Sequence, residues 1–458
     1  MRRSFRTAPF LFGKRLFAPY AVIDEHPKNV YDRCGFYGVF NVQKCFAAGG
    51  GAQTPNMKGD IHMKPLFEML QALSLNDRYG ALTLTYGHMT DADVTVISEE
   101  EITALEEKYG LLGKYLPAVL QARRELPNDP DRMLWAAIAS RCFSGRTPGE
   151  ATKLPIPLTD ETVVGDIAPL FPLLANAEAA AKSYRDHGFT EEEIKGYMAS
   201  LAGGLAVGER RTGRPSLSKG YYQWCSHYAN ASIFKLDGFN FNFREFPNYA
   251  NIIRHNETGE IVILLMNKVF NAAGLPIESA GQNLPEGAFS TSFAETADAF
   301  YGHPVRDFRC VRELTAYPKT EWSLFIKSGD PVLGIHIPRG GDISEDATRK
   351  AFSNAQKLVR ERYPERKIKG MTCNSWLLDP AFETMLKEGS KIRRFGEIFV
   401  RFPNKSGGDA PYSFVFDKRM PVEEWPENTS LERGLKQYYL DGNCIFFTNG
   451  YYPLDEDV

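Results

Sequence analysis

The run DPVLGIHIPRGGD at 330–342 holds a short apolar strand that leads directly into a glycine turn. Its centre, Val332–Ile337, is almost wholly apolar, which is typical of a strand buried on both faces of a sheet. The turn that follows, Arg339-Gly340-Gly341, places two flexible residues where the chain must reverse. This stretch predicts a central sheet strand that ends in a tight turn.

A helix is predicted after the turn. Apolar residues recur at helical spacing through Ala351, Ala355 and Val359, and Asp342 with Glu345 forms a candidate cap. The pair Tyr363-Pro364 ends the pattern. With a second strand over 367–374, the stretch Gly334–Trp376 predicts a strand, a turn, a helix and a strand, the core of an α/β domain that binds a small molecule.

Further strands are predicted on both sides of this core. Upstream, 233–246 alternates apolar and polar residues and predicts a half-buried strand. A turn at 256–259 and an apolar run at 260–266 predict its antiparallel partner. Downstream, 379–389 predicts a short helix, 392–402 a strand and 443–448 a last strand, whereas 271–321 predicts an excursion from this order.

The first half of the chain has helical signals. Ser98 precedes Glu101, and Thr190 precedes Glu193, by the three residues of a capping box. Asp129-Pro130 predicts the start of another helix, and 217–231 a last one with an aromatic stripe. No alternating pattern of any length occurs between 97 and 231. The fold class predicted is α+β, a helical N-terminal domain followed by a mixed α/β domain.

Composition excludes several classes of protein. A chain of 458 residues predicts two or three domains, and a net charge of −3 argues against a nucleic-acid-binding surface. The strongly apolar run Ile261–Met266 is too short to cross a bilayer, and no signal peptide is evident. Seven scattered cysteines form neither a disulfide framework nor a metal site. We therefore expect a cytoplasmic protein without membrane, nucleic acid or metal.

Four motifs carry a family resemblance. They are KGYYQWC at 219–225, GDPVL at 329–333, His336-Ile337-Pro338 with Gly340-Gly341, and CNSWLLDP at 373–380. Over about residues 150–448 the chain resembles bacterial acyltransferase-domain proteins, which pair an N-acyltransferase N-terminal domain with a GNAT-like C-terminal domain. The resemblance implies two domains: a helical N-acyltransferase N-terminal-like domain at 61–214 and a GNAT-like C-terminal domain at 215–458. Residues 1–60, which resemble nothing in the family, are a separate basic segment of uncertain role.

The resemblance also implies a co-substrate, acyl-CoA. A GNAT fold binds the coenzyme A pyrophosphate at the turn between its central strand and the next helix, where backbone N–H groups form an anion site. Arg339, Gly340 and Gly341 stand at that place and are the candidate binding residues. The usual loop of the family has Gly where this chain has Asp342, and a carboxylate beside a pyrophosphate is unfavourable. A glycine turn that serves only the fold is the alternative.

Three residues are candidates for catalysis. His336 could act as a general base on an attacking amine. Cys373 and Ser375 alternate in phase on the next strand and so share one face, which could lie near His336. Either could then protonate the departing thiol, or Cys373 could be a nucleophile activated by His336. The structural alternative is a core histidine beside a buried, inert cysteine.

Two hypotheses on function follow. The first is an N-acyltransferase that transfers an acyl group, other than an amino-acyl group, from acyl-CoA to a small-molecule amine by direct attack with general-base help. The second is a degenerate GNAT-like module that binds a ligand or partner without catalysis. Oligomeric state, acyl-chain length and the acceptor are not readable from the sequence.

Overall fold

The computed structural model describes residues 63–143, 154–277, 284–406, 408–416 and 418–454, which all lie in one compact unit. Helices occupy its N-terminal part, and strands dominate from residue 233 onwards. The α+β prediction with a helical N-terminal part is therefore confirmed. The segment predicted at 1–60 lies outside the described residues, and the domain boundary between 214 and 215 stays a prediction.

Two helices of the helical part begin where the capping signals in the sequence predict. Ser98 Oγ accepts a hydrogen bond from Glu101 N at 3.1 Å, and Thr190 Oγ1 accepts one from Glu193 N at 3.2 Å. The helices described before the first strand are α1 Leu66–Ala72, α2 Ala81–Tyr86, α3 Glu99–Tyr109, α4 Leu116–Glu125, α5 Pro130–Phe143, α6 Val163–Ile167, α7 Phe171–Ala175, α8 Ala177–Asp186, α9 Glu191–Met198, α10 Gly203–Thr212 and α11 Lys219–Ala229. The stretch 163–186 is apolar and long enough to span a bilayer, and it is mostly buried here.

Two large sheets and a two-stranded sheet, formed by Val269–Phe270 and Phe289–Ser290, follow the helices. The strands are β1 Ile233–Leu236, β2 Phe239–Glu245, β3 Ala250–His255, β4 Ile261–Leu265, β5 Val269–Phe270, β6 Phe289–Ser290, β7 Phe293–Glu295, β8 Ala299–Arg306, β9 Arg309–Cys310, β10 Thr315–Pro318, β11 Trp322–Ile326, β12 Pro331–His336, β13 Met371–Ser375, β14 Val400–Ser406 and β15 Phe446–Tyr452. The helices among them are α12 Glu345–Arg362, α13 Phe382–Met385, α14 Lys391–Glu397, α15 Ala410–Phe414 and α16 Ser430–Leu440.

The first sheet has six strands in the order β1-β2-β12-β13-β15-β14. Its central pair, β12 and β13, is parallel and is connected by α12, as the strand–turn–helix–strand prediction requires. The second sheet is antiparallel, in the order β10-β8-β4-β3-β11, with β7 and β9 paired to β8, so β7 to β10 come from the predicted excursion at 271–321. The central strand therefore lies inside the first sheet, with a partner on each side.

Two strand predictions were wrong. The alternating segment 233–246 is a hairpin, because Asp237 and Gly238 both have positive φ, 47° and 83°, and turn the chain between β1 and β2. The antiparallel partner of β4 is consequently β3 rather than the 239–245 strand. The segment 392–402 begins as helix α14 and becomes a strand only at Val400. Short apolar runs do not separate helix from strand, and here the helix occupies the first part.

The first sheet has two unlike faces. On one, which we call the helix face, Phe239 and Phe241 of β2 pack on Phe352 of α12, with ring centroids 5.7 Å and 6.2 Å apart. The other, which we call the polar face, carries Asn240, Asn242 and Arg244 of β2, Gly334 and His336 of β12, Thr372 and Asn374 of β13, and Asn449 and Tyr451 of β15. The candidate site lies on the polar face.

Candidate active site

The central strands part at His336. The ladder between β12 and β13 joins Leu333, Gly334 and Ile335 to Met371, Thr372 and Cys373, and it ends there. Beyond it, His336 remains paired with Asn240 of β2, while β13 continues beside β15 to Ser375. Ligands of open α/β sheets bind at the carboxyl ends of parallel strands. His336 therefore stands where such a ligand would enter.

His336 has a defined hydrogen bond and a neutral ring. Its Nε2 lies 2.9 Å from Oδ1 of Asn242 on β2, and the Trp224 indole packs edge-on at 4.8 Å between ring centroids. Since an amide oxygen only accepts, Nε2 carries the proton and Nδ1 keeps its lone pair. Burial, with smaller contributions from His227 and from the positive charge of Arg244, lowers the pKa of His336 to about 3. The imidazole is thus neutral across the physiological pH range, with the Nδ1 lone pair available to a hydrogen-bond donor.

A second histidine lies close to the first. His227 of α11 approaches Ser232, with Nδ1 3.1 Å from the hydroxyl oxygen. Burial, with a smaller contribution from Arg244, lowers its pKa to about 4. Two neutral imidazoles therefore line this end of the polar face. Within the described part of the chain, no group of three or more histidine, cysteine, aspartate or glutamate side chains is arranged to hold a metal ion.

The structure does not bring Cys373 and Ser375 to His336. Cys373 pairs with Ile335, so its side chain shares the helix face with Ile335, opposite the face that carries His336. Burial raises the pKa of the Cys373 thiol to about 12, which leaves almost no thiolate at neutral pH. Ser375, two residues on, accepts a hydrogen bond from Leu377 N at 3.2 Å and caps a short 3₁₀ turn. Cys373 and Ser375 share one face of the strand, as predicted, but this face is opposite His336 because the register between β12 and β13 pairs Cys373 with Ile335.

The glycine turn leads to an open helix terminus. Gly340 has φ of 77°, which a glycine adopts without strain, and Gly341 N donates to Pro338 O at 3.0 Å. Helix α12 begins at Glu345, and its N-cap residue, Ser344, makes no side-chain capping bond. The first backbone N–H groups of this helix therefore keep their capacity to bind an anion. Gly340 and Gly341 flank this terminus, and the exposed Arg339 precedes them.

The carboxylate in the turn has its own counter-ion. Asp342 Oδ1 lies 2.9 Å from Lys391 Nζ and accepts from Ser344 N at 3.0 Å. The bond from Lys391, followed by those from Ser344, lowers the pKa of Asp342 to about 2. Asp342 is therefore charged but paired. The conflict that a bare carboxylate would create with a bound pyrophosphate is reduced by this lysine.

Sequence reasoning missed three polar residues of β2. Asn240 and Asn242 are buried and Arg244 is partly exposed, although an alternating strand predicts a solvent-facing polar side. The pattern of β2 carries no signal of this burial, because a strand with one solvent-facing side has the same alternation. The polar side is covered by α11 and the second sheet, which are distant in sequence.

A separate cavity occurs in the helical part. It has a volume of about 820 Å³ and is lined by residues of α3, α5 and α7, among them Leu105, Lys108, Arg141 and Leu174. Its two basic side chains already form ion pairs, Lys108 with Glu178 and Arg141 with Asp93. None of its lining residues belongs to the first sheet. We therefore place the candidate site on the polar face rather than in this cavity.

This arrangement, with a helix-connected parallel pair in the middle of a mixed sheet, defines a GNAT-like domain. Residues 235–452 match the model of the GNAT-like C-terminal domain family, so this part of the chain is such a domain and the predicted resemblance is confirmed for it. No curated protein matches the sequence.

Solved structures share the fold more broadly. An acyltransferase mutant in complex with octanoyl-CoA has a TM-score of 0.56 at 16% identity, over 85% of this chain and 99% of its own. An acyltransferase in complex with decanoyl-CoA and teicoplanin gives the same values. An acyltransferase with decanoyl-CoA alone has a TM-score of 0.53 over the same shares. Because 85% exceeds the sheet-rich part alone, the shared fold extends into the helical part.

Proposed function

We propose that the protein is an N-acyltransferase that uses acyl-CoA as co-substrate and a small-molecule amine as acceptor. The observation that carries the proposal is His336, a neutral imidazole with a free Nδ1 lone pair, at the point where β12 and β13 part. The fold shared with acyltransferases that bind octanoyl-CoA and decanoyl-CoA supports it. In this proposal the helical part is the N-acyltransferase N-terminal-like domain, and the protein is cytoplasmic.

Coenzyme A binds in this proposal at the turn before α12. The uncapped helix terminus, the two glycines and the Arg339 side chain supply N–H donors and positive charge for the pyrophosphate. The thioester then extends along the gap between β12 and β13 towards His336. The acyl chain and the amine meet at the polar face.

The chemistry is direct attack. The amine nitrogen, bound as the free base, forms a bond to the thioester carbonyl carbon while His336 Nδ1 accepts its proton. The tetrahedral intermediate collapses, the C–S bond breaks, and the thiolate of coenzyme A takes the proton from the imidazolium. A ring whose environment disfavours the charged form returns that proton readily. No step requires Cys373, whose thiol is buried and protonated.

Ligand-induced stabilisation tests the first step. Melting temperatures are measured with acetyl-CoA, octanoyl-CoA and decanoyl-CoA, each against free coenzyme A, and thiol release is followed with an amine panel. The proposal requires stabilisation by at least one thioester and amine-dependent thiol release. Stabilisation without release from any amine supports the alternative, a ligand-binding module, which Asp342 in the turn favours. No stabilisation by any thioester contradicts the proposal.

A further inference from the structure

Arg244 lies on the polar face as a cation without a counter-ion. It is on β2, in register with Val332 of β12 and two residues from Asn242. Within the described part of the chain, no carboxylate forms an ion pair with it and no hydrogen bond joins its guanidinium to another group. Burial lowers the pKa of Arg244. Among the described residues, the hydroxyl of Tyr249 and the thiol of Cys373 oppose this shift, but burial raises the pKa of each, so both are neutral at pH 7.

The chain makes room for this side chain. A Cβ added to Gly334 would lie 2.6 Å from Arg244 Cδ and 2.2 Å from Asn242 Oδ1. Arg244 therefore leans across the central strand at Gly334, the level of Asn242, towards the hydrogen bond that holds His336. The absence of one side chain in the middle of β12 lets a long cationic side chain lie across it.

The Arg244 side chain is largely buried but keeps some contact with solvent. Arg244 keeps partial exposure, and its nitrogens are not among the fully buried polar atoms that lack a partner. Its positive charge lowers the pKa values of both His227 and His336, and both imidazoles pack against the Trp224 ring, so the three groups lie close together. A desolvated guanidinium whose donors have no partner among the described residues can bind an anion from outside the chain.

We propose that Arg244 binds a carboxylate of the acceptor, so that the acceptor is an amine that carries a carboxylate. This inference rests on the proposed function. The planar fork of arginine matches a carboxylate, and the neutral Nδ1 of His336 receives the amine at the other end. Arg244 crosses β12 at Gly334, one same-face position from His336, and a two-residue step along a strand is about 6.6 Å. Short ω-amino acids have that reach.

Matched acceptor pairs test it. The probes are glycine with glycinamide, β-alanine with its amide, and 4-aminobutyrate with its amide, each at saturating acyl-CoA. In the wild type, we expect at least one carboxylate to have kcat/KM about 10- to 100-fold above its amide, the worth of a charge-assisted hydrogen bond. In Arg244→Gln this ratio falls close to one, while KM for acyl-CoA stays unchanged. Arg244→Lys keeps part of the preference, and Arg433→Gln, an exposed arginine on α16, keeps all of it.

Other outcomes overturn the inference. Equal rates for every acid and its amide in the wild type would exclude carboxylate recognition. An equal loss of kcat for acids and amides in Arg244→Gln would place the guanidinium on the thioester oxygen instead. If no amine is acylated, the proposed function fails. Carboxylate recognition by Arg244 is then tested separately, by ligand binding. The same acids must then raise the melting temperature of the wild type more than their amides do, and lose that advantage in Arg244→Gln.

Discussion

His336 and Asn242 face each other across the β2–β12 pair, with Nε2 2.9 Å from Oδ1. This bond assigns the ring proton to Nε2 and directs Nδ1 away from β2. Asn242 is thus a positioning residue for the proposed base, since it selects the tautomer without meeting the substrate. The two residues are far apart in sequence and come together only because β12 inserts beside the β1–β2 hairpin.

Replacing His336 is expected to affect turnover and not co-substrate binding. His336→Asn removes the proton acceptor, so we expect kcat to fall by about 10²- to 10⁴-fold, the usual contribution of general-base catalysis. The melting-temperature shift caused by acyl-CoA should remain. His255→Asn, a half-buried histidine at the end of β3 in the second sheet, is the matched control and should keep full turnover. Unchanged kcat in His336→Asn would remove this residue as the base.

Acid should destabilise the protein through its buried histidines. The pKa values of His336 and His227 in the folded state, about 3 and about 4, lie below the ordinary 6.5. The unfolded chain therefore binds more protons below pH 6.5, and the contribution to stability is complete above that pH. It falls as the pH drops towards 4, by about 1.4 kcal/mol per pH unit for each proton bound.

Asp379 acts in the opposite sense in the same window. Burial raises its pKa to about 6, so the folded state binds its proton first as the pH falls. Urea unfolding of wild type and His336→Asn at pH 7.5, 6 and 5 isolates the histidine contribution, because Asp379 is common to both. We expect the stability of the variant to fall less steeply with acid. Parallel curves would show that His336 does not titrate as described.

Cys373 should be dispensable for the reaction. Its thiol is on the helix face and its pKa is raised to about 12, so it is neither placed nor ionised for attack. Cys373→Ala is expected to keep kcat within about threefold and to cost about 1 kcal/mol of stability, since the buried side chain is small. Initial-rate patterns with both substrates varied should intersect, as for direct attack. Parallel lines in the double-reciprocal plots, together with an inactive Cys373→Ala variant, would instead indicate a covalent acyl-enzyme.

The ion pair in the turn should tune coenzyme A affinity. Lys391→Met exposes the charge of Asp342 next to the open terminus of α12, and we expect about two- to fivefold weaker binding of acyl-CoA at low salt. Asp342→Asn removes that charge while keeping an oxygen for Ser344 N, and should strengthen binding by a similar factor. Lys387→Met is the control, a nearby lysine outside the pair. Identical affinities in all three variants would place the pyrophosphate elsewhere.

Much of the fold was predictable because its signals are local. The capping boxes at Ser98 and Thr190 specify helix starts within four residues, and the apolar β12 run with its turn specifies a buried strand before a helix. The hairpin at Asp237-Gly238 was also local but was overlooked inside a longer alternating run. The helix at 391–397 could not be separated from strand by pattern alone.

The site was predictable only in part because it depends on register. His336 follows from its place at the end of the central strand. Which neighbours share its face depends on how β12 aligns with β13, and a shift of one residue exchanges the two faces. No residue pattern predicts that Cys373 pairs with Ile335 rather than with His336. The burial of Asn242 and Arg244 likewise depends on elements distant in sequence.

The two faces of β2 give the strand two separate kinds of sensitivity. Phe239, Phe241 and Phe243 contribute to the core beneath α12, whereas Asn240, Asn242 and Arg244 border the candidate site. In an alanine scan from 239 to 244, the effect of the substitution should therefore alternate from one residue to the next between stability and activity. Substitutions at the odd positions should lower the urea midpoint and leave the activity of the folded protein unchanged. Substitutions at the even positions should lower the activity and change the urea midpoint less. Alternate residues of one strand would thus determine two different properties, the stability of the fold and the choice of acceptor.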